Sequence, residues 1–165
     1  MEFKEQIWPI KDRLFRLAYR VVDDRAEAED VVQEVMIKLW RQGQDLRLVK
    51  NLEAWCFRLT RNLALDKLKG GYRKRRTELP TDNNTLRATD QPDKILEAQD
   101  GYQRIRSFIQ ALPEQHRAVM HLRDIEGLSY QEIADALNMS MPQVKTNLFR
   151  ARKAVRTSIL NYETT

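Results

Sequence analysis

The chain has 165 residues, room for one medium domain or two small ones, and a single cysteine, Cys56, which excludes an intrachain disulfide and fits a reducing compartment. Its 42% apolar residues suffice for packed cores, and its 32% charged residues exceed the average of a globular domain. A net charge of +5 and a pI near 9.4 favour an anionic partner, nucleic acid ahead of an anionic membrane surface.

The opening "MEFKEQIWPIKDR" is charged throughout and has no apolar stretch of signal-peptide length. With no run as long as a membrane span, the expectation is a cytoplasmic protein without membrane insertion. Ile7, Ile10, Leu14, Leu17 and Val21 recur at three- and four-residue spacing and predict a first amphipathic helix. Asp24 and Glu27 form a capping-box pair that opens a second helix, with Ala28, Val32, Val35 and Leu39 on its apolar face. "RQGQDLRLVKN" breaks the pattern, with Gly43 in the loop and Asn51 as the next cap. A third helix is predicted from Leu52 through Leu68, stopped by the glycines at 70 and 71.

"TELPTDNNTLRATDQPD", residues 77–93, has two prolines and four acids against one arginine, and predicts a flexible acidic linker. Beyond it Ile95, Ala98, Tyr102, Ile105, Ile109 and Leu112 form another helical stripe. Pro113 suits a helix's first turn and Gly127 a helix's end. With no strand-period segment, the expected fold is all-α: two small helical domains, residues 1–76 and 94–165, joined by that linker.

The C-terminal domain has the grammar of a helix-turn-helix. Ser129 with Glu132 and Ser140 with Gln143 are two capping boxes on either side of the turn "NMS", and Pro142 is tolerated in the second helix's first turn. Ile133, Ala134, Leu137, Val144 and Leu148 are spaced to make the seam between the two helices. The second helix then exposes Lys145, Thr146, Phe149, Arg150 and Lys153, flanked by Arg152 and Arg156. Between Lys145 and Arg156 there are five basic residues and no acid, a pattern suited to the major groove and its phosphates.

Charge is segregated in the N-terminal domain as well. "DDRAEAEDVVQE", residues 23–34, carries six acids and one base, whereas "KLKGGYRKRR", residues 67–76, carries six bases and no acid. The two runs predict two partners, a basic protein surface for the first and DNA for the second. Arg58, Arg61, Asn62 and Lys67 lie along the polar side of the Trp55 helix, interleaved with aromatics that can stack an unpaired base. Trp40, Trp55 and Phe57 are equally readable as core.

Three stretches in register, "DRAEAEDVVQEVMIKLWR", "AWCFRLTRNLALDKLK" and "ALPEQHRAVMHLRDIEGLSYQEIADALNMSMPQVKTNLFRARKAV", resemble the extracytoplasmic-function (ECF, group 4) sigma factors of bacterial RNA polymerase over nearly the whole chain. The resemblance implies that residues 1–76 are a sigma region 2 domain. Its acidic helix would dock on the clamp helices of the polymerase's largest subunit through Asp30, Gln33 and Glu34. It further implies minus-10 recognition and melting by Leu46, Arg58, Arg61, Asn62, Lys67, Arg73 and Arg75; Leu46 stands where many relatives have an aromatic residue. The linker would thread toward the active centre. Residues 94–165 would be a region 4 domain that meets the polymerase flap and reads the minus-35 element with Gln143, Lys145, Thr146, Phe149, Arg150, Arg152 and Lys153. Asn147 stands where relatives often carry a base. The implied partners are core polymerase, promoter DNA and an anti-sigma factor, with no cofactor, metal or catalytic residue.

Two other classes compete. A stand-alone helix-turn-helix regulator would need its N-terminal half to dimerise, yet the first three helices offer apolar face only for their own core. An enzyme would need a cluster the sequence lacks: His116 and His121 are five apart and not stacked on one helical face, and Asp124 with Glu126 reads as a helix-end charge cluster. Opening DNA costs about 1.4 kcal/mol per stacking step, and a stacked base returns about 1–3 kcal/mol. Poor promoter binding by the chain alone is therefore expected.

Overall fold

A computed structural model of the chain describes residues 5–77 and 96–164. Seven α-helices are present among them: α1 (Lys11–Val22), α2 (Arg25–Gln42), α3 (Leu52–Thr77), α4 (Leu96–Gln110), α5 (Glu114–Met120), α6 (Tyr130–Leu137) and α7 (Met141–Thr164). The predicted linker lies almost wholly outside the described residues, as does Ile95.

Local chemistry sets most boundaries. Pro9 occupies a 3-10 turn, Trp8–Ile10, ahead of α1, where its missing N–H costs nothing. The Asp24 side chain accepts the Glu27 N–H at 2.9 Å, so α2 starts where the sequence places it. Gly43 ends α2 at φ +53, followed by a 3-10 turn, Gly43–Leu48. Asn51 accepts the Ala54 N–H at 3.0 Å and starts α3.

One boundary differs from expectation. The glycines at 70 and 71 do not stop α3, which runs on to Thr77. Neither takes a positive φ; a helical glycine costs about 1 kcal/mol relative to alanine. The basic residues of the final turns favour the negative helix end and help offset that cost.

In α1 and α2 the apolar faces are buried as their spacing predicts: Ile7, Ile10, Leu14, Leu17 and Val21 from one segment, and Ala28, Val32, Val35 and Leu39 from the other. Both pack on α3. Within α3 Phe57 is fully buried and Trp55 half-buried, so both belong to the core, while Trp40 of α2 is 71% exposed. Cys56 is buried too; burial, then the nearby Glu53 charge, pushes its thiol up to about 12, leaving it inert as a nucleophile.

α3 also packs against α6, so one apolar cluster runs from the N-terminal helices into Val119, Leu122, Leu128 and Ile133. The two halves therefore meet through a shared core. The α4 stripe is only partly used. Ile109 and Leu112 are buried against Ala151 and Val155 of α7, but Tyr102 and Ile105 are 65% and 45% exposed. Spacing identified the stripe, but α7 covers only its C-terminal end.

Candidate nucleic-acid interface

The helix-turn-helix is closed by two reciprocal caps. Ser129 Oγ accepts the Glu132 N–H at 3.1 Å and Glu132 accepts the Ser129 N–H at 3.0 Å. Across the turn, Ser140 Oγ accepts the Gln143 N–H at 3.2 Å and Gln143 Oε1 accepts the Ser140 N–H at 2.8 Å. Between them Asn138 takes the left-handed conformation at φ +54, and the Met139 N–H reaches back to the Ala134 carbonyl. Ile133, Ala134, Leu137, Val144 and Leu148 are all buried and form the seam.

With that face of α7 fixed inward, Lys145, Thr146, Phe149, Arg150 and Lys153 emerge together on the outside, and Phe149 is 68% exposed. A large exposed aromatic ringed by cations on a helix whose N-terminus carries positive partial charge suits an anionic, stacked partner. Two neighbours behave differently. Arg152 is held by Asp124, Nε to Oδ2 at 3.1 Å and Nη2 to Oδ1 at 2.5 Å. Asn147 turns inward, its Nδ2 3.6 Å from Met139 Sδ.

The N-terminal site residues fall into three groups. Arg58 and Asn62 are exposed one turn apart on α3, and Gln33 and Glu34 are exposed on α2. Asp30 lies 3.5 Å from Lys67 Nζ, so the acidic and basic runs touch at their edges. Leu46, Arg73 and Arg75 are placed in backbone only, within the 3-10 turn and the last turns of α3; their side chains lie outside the description.

Arg61 belongs to neither exposed face. It donates to Glu114 at the start of α5, Nε to Oε1 at 2.9 Å and Nη2 to Oε2 at 2.5 Å. Nearby, the Glu126 carboxylate is fully buried, yet both of its guanidinium partners come from α1. Arg16 donates to Oε1 at 2.7 Å and Oε2 at 3.0 Å, and Arg13 donates to Oε2 at 3.0 Å and to the Glu126 carbonyl at 2.7 Å. Arg13 also bonds Glu53.

Burial works to raise the Glu126 carboxyl, but adjacent His121 and the hydrogen bonds from Arg16 and Arg13 outweigh it and hold the group at about 2. His121, with Nε2 3.4 Å away, is pushed below its ordinary value, chiefly by burial. Asp124 and Glu126 thus serve separate partners, one on α7 and one on α1. Sequence reasoning recognised this helix-end cluster but not that it joins the two halves; arginines 110 and 113 residues upstream carry no local signal pairing them with Glu126.

Comparison with known proteins places these features. The sigma-70 region 2 model matches residues 10–76, and the sigma-70 region 4 model matches residues 102–155. The chain is 31% identical over 147 residues to the ECF RNA polymerase sigma factor SigL of Mycobacterium tuberculosis, covering 88% of this chain and 82% of that one. The chain belongs to the ECF sigma factors.

A second ECF relative, SigE of Mycolicibacterium smegmatis, is 35% identical over 146 residues, covering 88% of this chain but 56% of the relative, so the chain spans just over half of SigE's length. The fold matches the sigma factor RpoE, solved in complex with the anti-sigma factor NepR from Bartonella quintana, with a TM-score of 0.74 at 20% identity over 96% of each chain. As an RNA polymerase sigma factor, the chain has promoter recognition as its function class. No helix among its described residues is long and apolar enough to cross a membrane.

Proposed function

We propose that this ECF sigma factor is a cytoplasmic, non-catalytic promoter-specificity subunit in which residues 1–76 and 94–165 act as separate reading heads joined by residues 77–93. The outward set on α7, Lys145, Thr146, Phe149, Arg150 and Lys153, reads the minus-35 element, with Gln143 and Arg152 at its margins. Arg150 forks onto a base edge and the lysines hold phosphates. Arg58, Arg61, Asn62 and Lys67 of α3, with Leu46 before it and Arg73 and Arg75 at its end, engage the minus-10 element. The acidic face of α2, with Asp30, Gln33 and Glu34, docks on a basic surface of core polymerase.

The observation that carries this reading is the pairing of an exposed basic, aromatic face on the second helix of a doubly capped helix-turn-helix with an acidic exposed face on α2. Strand opening is driven mainly by the polymerase, because a few stacked bases return less than a melted bubble costs. An anti-sigma factor, the kind of partner RpoE has in its complex, is the inhibitor this arrangement suits.

The test is retention of pooled genomic fragments by the chain with and without core polymerase. Sequence-selective retention only with core is expected. Tight selective binding by the chain alone, as a symmetric dimer on palindromes, would instead establish a stand-alone regulator.

A further inference from the structure

Asp124 and Glu126 stand two residues apart, yet they serve opposite sides of the fold. The turn that holds Asp124, His121–Ile125, is π-helical and closes with the Glu126 N–H on the His121 carbonyl at 3.0 Å. A π turn takes in one residue more than an α turn and shifts the side chains that follow it. Here it leaves Glu126 buried toward α1 and sets Asp124, exposed, beside Arg152 of α7. Lys145, Phe149 and Arg152 follow one another at spacings of four and three, so Arg152 extends the outward ridge of α7. Asp124 grips its guanidinium side-on, through Nε at 3.1 Å and Nη2 at 2.5 Å. Of Lys145, Arg150, Arg152 and Lys153, only Arg152 has a carboxylate partner among the described residues. The cations beside it keep their charge: Arg123 lies over the Tyr130 ring at 4.7 Å, and Lys145 approaches the same ring at 5.9 Å.

We propose that Asp124 is a positioning residue for promoter choice: it ties Arg152 back from the DNA backbone and so holds down binding to unmatched DNA. This deepens the minus-35 reading above and rests on it. Binding to unmatched DNA comes almost wholly from cations that displace counterions at phosphates, whereas contacts to base edges carry the sequence. On unmatched DNA α7 has no preferred register, so any free guanidinium finds a phosphate. On a matched element Arg150 fixes the register, and α7 keeps the placement in which Arg152 rests on Asp124. Removing the carboxylate charge therefore strengthens the unmatched complex more than the matched one. Choice between sequences is a difference of two affinities, and a residue that weakens the wrong complex widens it. The two-pronged contact suits this role, because both bonds must part before Arg152 swings to a phosphate. With the Arg152 side chain 44% exposed, solvent screens the pair, so the effect is several-fold and not all-or-none.

The test uses the full-length chain bound to core polymerase and two labelled duplexes. One is a fragment that this holoenzyme selects from pooled genomic DNA; the other is the same fragment with its minus-35 element scrambled. Asp124→Asn keeps the side chain's size and an acceptor for Arg152 but removes the charge. Affinity for the scrambled duplex is expected to rise about fivefold at about 0.1 M salt, and the slope of log affinity on log salt to steepen by about one. Affinity for the selected duplex is expected to rise by less than about twofold, so discrimination falls. Adding Arg152→Ala to Asp124→Asn is expected to cancel the gain, and Asp124→Glu to keep the parent's discrimination.

Equal gains on both duplexes, or a gain that survives Arg152→Ala, would overturn the proposal and leave Asp124 as one charge among many. A loss on both duplexes at the parent's helicity would also overturn it and make Asp124 a plain strut. If the parent with core polymerase selects no fragment, the minus-35 reading fails and takes this inference with it. If the parent selects and Asp124→Asn changes nothing, only this inference fails.

Discussion

Glu126 joins the two halves through Arg13 and Arg16. Its carboxylate is wholly buried and held at about 2, well below the 4.5 of a free glutamate. Because the folded value is depressed, the associated stability is present above the unfolded value and is lost as pH falls from there toward 2. His121 acts in the same direction earlier. Kept neutral by burial, it favours protonation in the unfolded chain below about pH 6.5. Urea denaturation from pH 7 to pH 3 should show a falling midpoint, and Glu126→Gln should remove the lower part of that slope. At pH 7 the same variant should lose about 2 kcal/mol, less than a fully buried pair because both arginines still reach water. An unchanged midpoint would mean that Glu126 is solvated in solution.

Arg150 is the residue on which the proposed minus-35 recognition depends most. With the seam of α7 fixed inward, its guanidinium is exposed at the outer face. Arg150→Ala should lower discrimination between cognate and altered minus-35 elements by about 1–3 kcal/mol. Transcription from matched promoter pairs measures this directly. A uniform loss on every promoter would reassign Arg150 to a phosphate contact.

Among the elements, the caps and the long third helix make opposite predictions. Ser129→Ala and Ser140→Ala should each cost about 1 kcal/mol in thermal or denaturant unfolding, since each breaks a reciprocal pair. Gly70→Ala should stabilise α3 by up to about 1 kcal/mol, because an added Cβ meets nothing within 4 Å and the backbone there is ordinary helix. Gly127→Ala should destabilise, its φ of +73 being strained for any residue with a Cβ.

The same contrast explains what could be read from the residues alone. Caps and apolar seams are encoded within a few positions, so the starts of α2 and α3, the helix-turn-helix and the outward face of α7 were all legible. The continuation of α3 through its glycines was not, because their cost is smaller than the favourable terms on either side. The incomplete cover of the α4 stripe and the Glu126 cluster depend on partners from distant parts of the chain, which no local period encodes. Arg61 was visible as a basic residue on α3, but its engagement with Glu114 was not.

At the scale of the molecule, the N-terminal apolar faces are consumed by their own helices and by α6. Outside that core, exposed Trp8 and Ile37 share a hollow with Gln33 of the acidic face, so the proposed docking on polymerase, and not a symmetric dimer, would cover them. Gel filtration with light scattering should return the monomer mass of 19.6 kDa. A stable dimer at micromolar concentration would favour the stand-alone regulator.

As a promoter-specificity subunit, this chain gives core polymerase its promoter choice. Run-off transcription with purified core enzyme and pooled genomic fragments tests this. Discrete start sites should appear only when the protein is added, and should be lost with Arg150→Ala and with charge reversal at Asp30 and Glu34. Absence of stimulation by the cognate core, with sequence-specific DNA binding retained, would contradict it.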